Sequence, residues 1–451
     1  MKKASVIGSG LVGSMLALFL AKRNYEVKVY ERRPDMRKQK LAGGRSINLA
    51  LSDRGLKALN KLGLAEEVKK MTIPMHGRMV HSIDGSLSYQ PYGKEGQYIN
   101  SISRGGLNEL LMTEAEKYPN VQYFFEHKST DVDFKTNEVV IEAAGKNIKT
   151  ESDLVFGTDG AFSAVRNAMM KTERFNYSQQ YLPHSYKELN MQPHANGNWK
   201  MEKNALHIWP RKSFMLIALP NLDGSFTCTL FLAHEGDISF ANLQTETQVT
   251  AFFQQYFPDT IELMPNYLEE FFSNPTSSLV TVKCFPWTAN NKICLLGDAA
   301  HAIVPFYGQG MNCGFEDCDV LDELIDTHNE NWTEILQQFQ TLRKPDGDAI
   351  ADLALRNFIE MRDLVADENF LTRKKIEKAM HERHPQDFVP LYSLVTFGHT
   401  RYSEALRLGQ LHDTFFSQKE NLKQVAATLE QPETLQLLDS WVEALKAIGN
   451  K

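Results

Sequence analysis

A chain of 451 residues is long for one domain and predicts two or three. With 42% hydrophobic and 10% aromatic residues it can bury a large core, which excludes wholesale disorder. Its 49 Lys and Arg against 56 Asp and Glu leave a net charge of −7, which argues against nucleic acid as a partner. The five cysteines, Cys228, Cys284, Cys294, Cys313 and Cys318, are odd in number and never spaced as CxxC. Neither a disulfide framework nor a zinc site is indicated, and a reducing cytoplasm is expected.

Lys2 and Lys3 precede an uncharged stretch from Ala4 to Ala21 that ends at Lys22-Arg23. A signal peptide or short membrane span would look similar, but Gly8, Gly10 and Gly13 make a poor apolar helix. The stretch predicts a strand at Lys3–Ile7, a turn, and a helix from Leu11. Nothing else approaches the ~20 apolar residues that span a bilayer, and Trp441 to Lys451 is too polar for an anchor, so a soluble chain is expected. A second strand is predicted at Glu26–Tyr30. A helix follows from Ser52 to Leu62, with Ser52 as cap and Gly63 as stop. Ser103 caps a further helix that Pro119 ends. Strands follow at Val121–Phe125, Glu138–Glu142 and Asp153–Phe156. This alternation indicates an α/β domain with a largely parallel sheet.

Between about Thr172 and Thr281 the texture changes. His207–Pro210, Phe214–Leu219 and Phe226–Leu232 are short β-rich runs separated by turn residues, an antiparallel sheet whose face could roof a pocket. Ile293–Leu296 returns to a buried strand, and from Met311 the pattern is almost wholly helical. In the last stretch Leu435, Leu437, Leu438, Trp441 and Leu445 fall largely on one helical face. The expected division is a discontinuous nucleotide domain (1–70, 101–171 and 282–365), a substrate domain (71–100 and 172–281), and a helical region (366–451).

Gly8-Ser9-Gly10-Leu11-Val12-Gly13 is a full GxGxxG between predicted strand and helix. The first glycine permits the tight turn, the second admits a pyrophosphate, and the third lets helix and strand pack closely. Glu31 ends the second strand eighteen residues after Gly13, where a carboxylate can accept from ribose hydroxyls. An acidic residue there suits FAD or NAD and not NADP. Three further segments favour FAD: Arg45 to Leu51, Phe156-Gly157-Thr158-Asp159-Gly160 with Ser163 and Arg166, and Leu295 to His301 followed by Pro305 and Gly308-Gln309-Gly310-Met311-Asn312. No second fingerprint marks where a nicotinamide cofactor docks.

These segments, in this order, resemble the class A flavin-dependent aromatic hydroxylases. Gly44-Arg45-Ser46-Ile47-Asn48-Leu49-Ala50, His76 to His81, Gln90-Pro91-Tyr92-Gly93, Asn204 to Pro210, Pro305 to Asn312 and Tyr392 to Phe397 carry the likeness further, to the branch that acts on L-kynurenine. The likeness spans nearly the whole chain up to Gly409. It implies a Rossmann-like FAD-binding domain interleaved with an antiparallel-sheet substrate domain. It also implies non-covalent FAD, reduction by NADPH, and hydroxylation of L-kynurenine to 3-hydroxy-L-kynurenine through a flavin hydroperoxide, within tryptophan degradation and NAD biosynthesis. A bacterial form without a transmembrane anchor is expected, and a homodimer is left open. Cofactor contacts implied are Gly8, Gly10, Val12, Gly13, Glu31, Arg32, Arg33, Ala50, Arg104, Asp298, Met311 and Asn312. Asp298 would meet ribityl hydroxyls, and the helix beginning near Gly310 would aim the N–H groups of Met311 and Asn312 at the flavin's pyrimidine edge.

For a substrate with an α-carboxylate, Arg78 offers a planar fork, Tyr92 and Tyr392 offer hydroxyls, and Asn357 offers an amide. Tyr307 stands where relatives carry an imidazole or an aromatic ring, which leaves the gate over the flavin open. His381 and His384 lack a third ligand, so no metal is expected, and the basic run Arg373 to Lys378 reads as a solvated helix face. A hydroxylase of another aromatic acid shares every flavin motif and differs only at the Arg78, Tyr92, Asn357 and Tyr392 set. A nicotinamide dehydrogenase and a flavin-holding redox sensor are the remaining alternatives.

Overall fold

A computed structural model describes residues 1–38, 48–365 and 367–449. The segment Gly44-Arg45-Ser46-Ile47 therefore lies outside the described residues. The strand Lys3–Ile7 is the hinge of the architecture. It pairs in parallel with Glu26–Glu31 on one side and Leu154–Gly157 on the other. Val121–Phe125 and Ile293–Leu295 extend these neighbours, and Thr288–Ala289 adds an antiparallel edge to complete six strands. The helix Leu11–Lys22 packs its almost wholly buried residues onto this sheet, which is why the opening stretch is so apolar. It is a strand–turn–helix.

Glu138–Glu142 does not join that sheet. Glu138–Ala143 sits in a separate antiparallel meander with Lys128–Asp133 and Lys146–Thr150. Parallel neighbours need a crossover of a dozen residues or more, and this strand has only tight turns on either side.

A seven-stranded sheet runs Ser277–Phe285, Asn176–Met191, Phe226–Ala233, Met215–Pro220, Ala205–Pro210, Gly77–His81 and Leu87–Pro91. All its pairings are antiparallel except Ala205–Pro210 with Gly77–His81. The sixteen-residue strand Asn176–Met191 at its heart escapes sequence patterning for a physical reason. Two of its buried positions are Ser185 and Lys187, and Lys187 reaches the Asn274 carbonyl at 2.7 Å to satisfy its ammonium. Two helices, Glu246–Tyr256 and Tyr267–Ser273, cover the far face in a region read as strands and turns. A small antiparallel sheet of Asn48–Leu51, Ile99–Ser103 and Thr72–Met75 joins the two larger ones.

From Gly310 the chain is helical, including the long helix Trp332–Ile359, which tolerates Pro345 and ends in a π turn at Glu360–Leu364. In the helix Pro432–Gly449, Leu438, Trp441, Val442 and Leu445 are buried against Ile376, Phe415 and Phe416. Leu437 is 39% exposed, so it leaves the predicted face; it lies about 100° round from Leu438 on the helix. Arg373 is no solvated residue either. It pairs with Glu377 of its own helix at 2.7 Å and with Asp413 of the helix Tyr402–Ser417 at 2.9 Å, joining two C-terminal helices. Among the described residues no helix is long and apolar enough to cross a membrane.

Candidate functional site

A cleft with a cavity volume of about 580 Å³ opens at the carboxyl ends of the parallel strands and continues under the seven-stranded sheet. Gly8, Gly10, Val12, Glu31, Arg32, Arg33, Ala50, Arg104, Asp298 and Met311 line it, together with Arg78, Tyr92, Tyr307 and Tyr392. Gly13, Asn312 and Asn357 do not.

The glycine turn separates three jobs. Gly8 has φ +99°, and a Cβ there would lie 2.7 Å from the Thr158 carbonyl oxygen. At Gly13 a Cβ would fall 2.0 Å from the Gly8 carbonyl, so this glycine serves helix–strand contact. A Cβ on Gly10 meets no protein atom within 4 Å, so it faces the open cleft at the start of a helix. Such a cradle of backbone N–H groups suits a pyrophosphate. Glu31 accepts from Ser9 N at 2.9 Å and from Arg33 Nε at 2.8 Å. Burial opposes its charge, but Arg33 and the Ser9 N–H outweigh it and hold the carboxyl below its ordinary range.

Beyond the turn, Asp298 opens a short helix after Gly297, whose φ is +57°. Asn312 is fully buried. It accepts from Ser52 N at 2.9 Å and donates to the Ala50 and Gly308 carbonyls at 2.8 and 2.7 Å. Its side chain thus fixes the walls, while its backbone stands in the first turn of Gly310–Thr327. Asp159 accepts from Ala164 N at 2.6 Å through one oxygen and leaves the other buried without a partner; burial raises its pKa.

At the other end, Arg78 lies with its guanidinium carbon 5.1 Å from the Tyr392 ring centre and 5.4 Å from that of Tyr92. The Tyr92 and Tyr392 rings stack at 5.2 Å, and Tyr392 stacks on Tyr307 at 5.5 Å. Burial opposes the Arg78 charge, yet its surroundings, with Tyr392, Tyr92 and the Glu360 carboxylate nearest, leave its pKa raised. Burial pushes all three phenols upward, so they are neutral donors at physiological pH. Arg78 Nε and the Tyr92 hydroxyl are both buried and have no hydrogen-bond partner among the described residues. Asn357 stands back from the cleft and donates to the Phe306 carbonyl at 2.7 Å. Glu360, which sequence reasoning missed, brings a carboxylate oxygen 3.8 Å from Arg78 Nη1. Only the extra residue of the π turn marks its position, and no sequence pattern announces that.

Behind the cofactor end, Asp317 joins His301 Nε2 at 2.6 Å, Arg343 Nε at 2.8 Å and Gly297 N at 3.0 Å. His301, Cys313 and Asp317 are close enough together to hold a cation. Arg343 already fills that role, its guanidinium 3.3 Å from Cys313 Sγ. His381 and His384 are committed elsewhere, to the Phe388 carbonyl and to Asp439.

Residues 1–354 match the family model of the FAD binding domain. The kynurenine 3-monooxygenase of Myxococcus xanthus is 51% identical over 417 residues, covering 92% of this chain and 90% of that protein. The chain belongs to the kynurenine 3-monooxygenase family. The Flavobacterium johnsoniae kynurenine 3-monooxygenase is 49% identical, with 96% of each chain covered, and that of Sus scrofa is 49% identical, covering 89% of this chain and 85% of its own. Among solved structures, 2-methyl-3-hydroxypyridine-5-carboxylic acid oxygenase aligns with a TM-score of 0.66 at 18% identity, covering 91% of this chain and 98% of its own. PqsL of P. aeruginosa aligns at 0.65 and 18% identity, covering 82% and 99%. Both likenesses bear on the fold, which is that of the FAD-binding aromatic hydroxylases. The residues present fit FAD: a cradle open at Gly10, the Glu31 carboxylate lining the same cleft, and a buried Asp159 oxygen that has no partner among the described residues.

Proposed function

We propose that this kynurenine 3-monooxygenase family member hydroxylates L-kynurenine to 3-hydroxy-L-kynurenine with NADPH and oxygen, in the cytoplasm. The observation that carries the substrate is the pair of unpartnered buried donors, Arg78 Nε and the Tyr92 hydroxyl, in the same cleft as the FAD cradle. A buried guanidinium and a neutral phenol without partners suit a carboxylate, because leaving them bare costs about 1–3 kcal/mol each. Glu360 beside Arg78 gives the α-ammonium a counter-charge, so an amino acid matches where a simple benzoate does not.

FAD, when bound, supplies the redox chemistry that activates oxygen. The chain's residues bind, orient and dry the site. Gly8, Gly10 and Val12 cradle the cofactor's phosphates, and Glu31 takes the ribose. Arg32, Arg33 and Arg104 stand on the exposed rim of the cleft, and Asp298 would hold the ribityl hydroxyls. The N–H groups of Met311 and Asn312, at the start of Gly310–Thr327, stabilise negative charge on the isoalloxazine edge. Tyr92, Tyr392 and Tyr307 form a wall of stacked rings that excludes water. Asn357 acts on the substrate end through Phe306, by holding that backbone. The chain then divides into a nucleotide domain (1–70, 101–171 and 282–365), a substrate domain (71–100 and 172–281) and a helical region (366–451).

Incubation of flavin-loaded protein with NADPH, oxygen and L-kynurenine should yield 3-hydroxy-L-kynurenine, identified by mass and chromatography. Faster turnover of a benzoate or salicylate with no kynurenine product would overturn the substrate reading. A preference for NADH would correct the electron donor.

A further inference from the structure

Arg54 is 1% exposed and does not line the cleft, yet it bonds to two helices that each carry a cleft-lining residue, Met311 and Tyr392. It lies at the start of the helix Asp53–Leu62, two residues after Ser52, whose N–H is bound by Asn312 of the cofactor-edge helix. Its Nη1 meets Glu316 of that same helix at 2.6 Å. Its Nε donates to the Val395 carbonyl at 2.8 Å, and Nη2 donates to the carbonyls of Leu394 and Thr400. Leu394 and Val395 belong to the last turn of Leu391–Thr396, whose carbonyls have no partner further along the helix. That helix carries Tyr392. The guanidinium also lies 4.0 Å from the ring centre of Tyr402, and the Tyr402 hydroxyl donates to Gln309 Oε1 at 2.9 Å. Gln309 is the residue from which the cofactor-edge helix starts.

We infer that Arg54 is a positioning residue: it sets Tyr392, and with it the wall of the substrate cleft, at a fixed place relative to the N-terminus of Gly310–Thr327. The inference rests on the reading of Tyr392 as part of the substrate site. The guanidinium suits the task because its rigid fork reaches Glu316 and three carbonyls at once, which an ammonium cannot do. Without this grip a six-residue helix has too few hydrogen bonds to hold its own orientation. A ring displaced by about an ångström costs productive geometry far more than it costs binding of the cofactor.

The test compares Arg54→Lys, Arg54→Met and Tyr402→Phe with the wild type, all loaded with FAD. Three quantities are read: kynurenine affinity by flavin absorbance, 3-hydroxykynurenine formed per NADPH oxidised, and amide hydrogen exchange of residues 391–396. Arg54→Met should weaken kynurenine about ten-fold, lower product per NADPH with peroxide making up the difference, and release protection at 391–396 while 310–327 stays protected. Arg54→Lys should fall between, and Tyr402→Phe should lower coupling while keeping the Arg54 grip. If the variants merely melt earlier while affinity, coupling and exchange match the wild type, the role is structural and the inference fails. Should Arg54→Met fail to fold, the lysine and phenylalanine variants decide on the same measurements. If the wild type itself makes no 3-hydroxykynurenine, the proposed function fails instead, and exchange at 391–396 still decides the grip.

Discussion

The side-chain amide of Asn312 donates to the Ala50 carbonyl at 2.8 Å, although 262 residues separate them. The contact fastens the strand Asn48–Leu51 to the first turn of the cofactor-edge helix, so two walls of one cleft share a single amide. Asn312→Asp keeps the acceptor for Ser52 N–H but loses both donors and sets a carboxylate against the Ala50 and Gly308 carbonyls. Each buried acceptor left bare costs about 1–3 kcal/mol. Urea unfolding should show a loss of about 2–6 kcal/mol for the two together, with flavin released at lower denaturant than in the wild type.

Gly10→Val should lose flavin while keeping its fold. A Cβ at Gly10 meets no protein atom within 4 Å, so its methyls fill the space that a pyrophosphate needs. Gly13→Ala should do the reverse, since its Cβ would lie 2.0 Å from the Gly8 carbonyl and push helix from strand. The ratio of flavin to protein absorbance and the melting temperature separate the two outcomes. A yellow Gly10→Val protein would contradict the assignment.

Arg78→Met should retain FAD and lose kynurenine. A charge-assisted bond to a carboxylate is worth about 1.5–3 kcal/mol, roughly ten- to hundred-fold in affinity. Arg78→Lys recovers part of this, because one ammonium cannot make two parallel bonds. Titration followed by flavin absorbance measures both. Equal binding of kynurenine by Arg78→Met and wild type would remove the carboxylate clamp.

Asp317 and His301 make stability depend on pH at both ends. Burial works against the Asp317 charge, but His301 and Arg343 hold its carboxyl down at about 2. A depressed carboxyl contributes stability that is present above its unfolded value near 3.9 and is lost as pH falls through about 2, here on the order of 2 kcal/mol. His301 is shifted upward: burial disfavours its charge, and Asp317 more than compensates. Its contribution is complete below about 6.5 and fades as pH rises through the higher folded value. Melting temperatures of wild type and Asp317→Asn should converge toward pH 2 and draw closer toward alkaline pH, where the pairing of Asp317 with Arg343 keeps part of the difference. Parallel curves at a constant offset would refute the coupling.

All five cysteines are buried, and burial raises their thiols, that of Cys284 to about 12. Native protein should therefore be inert to a thiol-specific disulfide reagent, and the denatured chain should release five equivalents. Rapid modification of the native protein would show an open path to one of them.

The cofactor half was legible because its signals are local. The turn at Gly8, the strand end at Glu31 and the start of the helix at Gly310 are each marked by glycine spacing or hydrophobic runs over a few residues. The substrate half was named only through likeness to relatives, since Arg78, Tyr92 and Tyr392 come from three separate segments that the fold brings to one cleft. Asn357, named for its amide, turned out to spend that amide on the Phe306 backbone. Leu437 and Glu138 went astray because a periodic pattern names a face or a strand but not the neighbour that receives it.

By itself, then, the sequence determined a FAD-type strand–turn–helix, an α/β sheet and a helical C-terminal region, because turn chemistry and hydrophobic spacing act over a few residues. Only the tertiary structure decided that Glu360 stands 3.8 Å from Arg78, that the two donors of the cleft are left unpaired, and that Arg54 reaches the carbonyl of Val395, 341 residues away. Such contacts arise from packed elements whose relative placement no local preference encodes, and the buried charges among them are tolerable only where the whole fold brings partners to meet them.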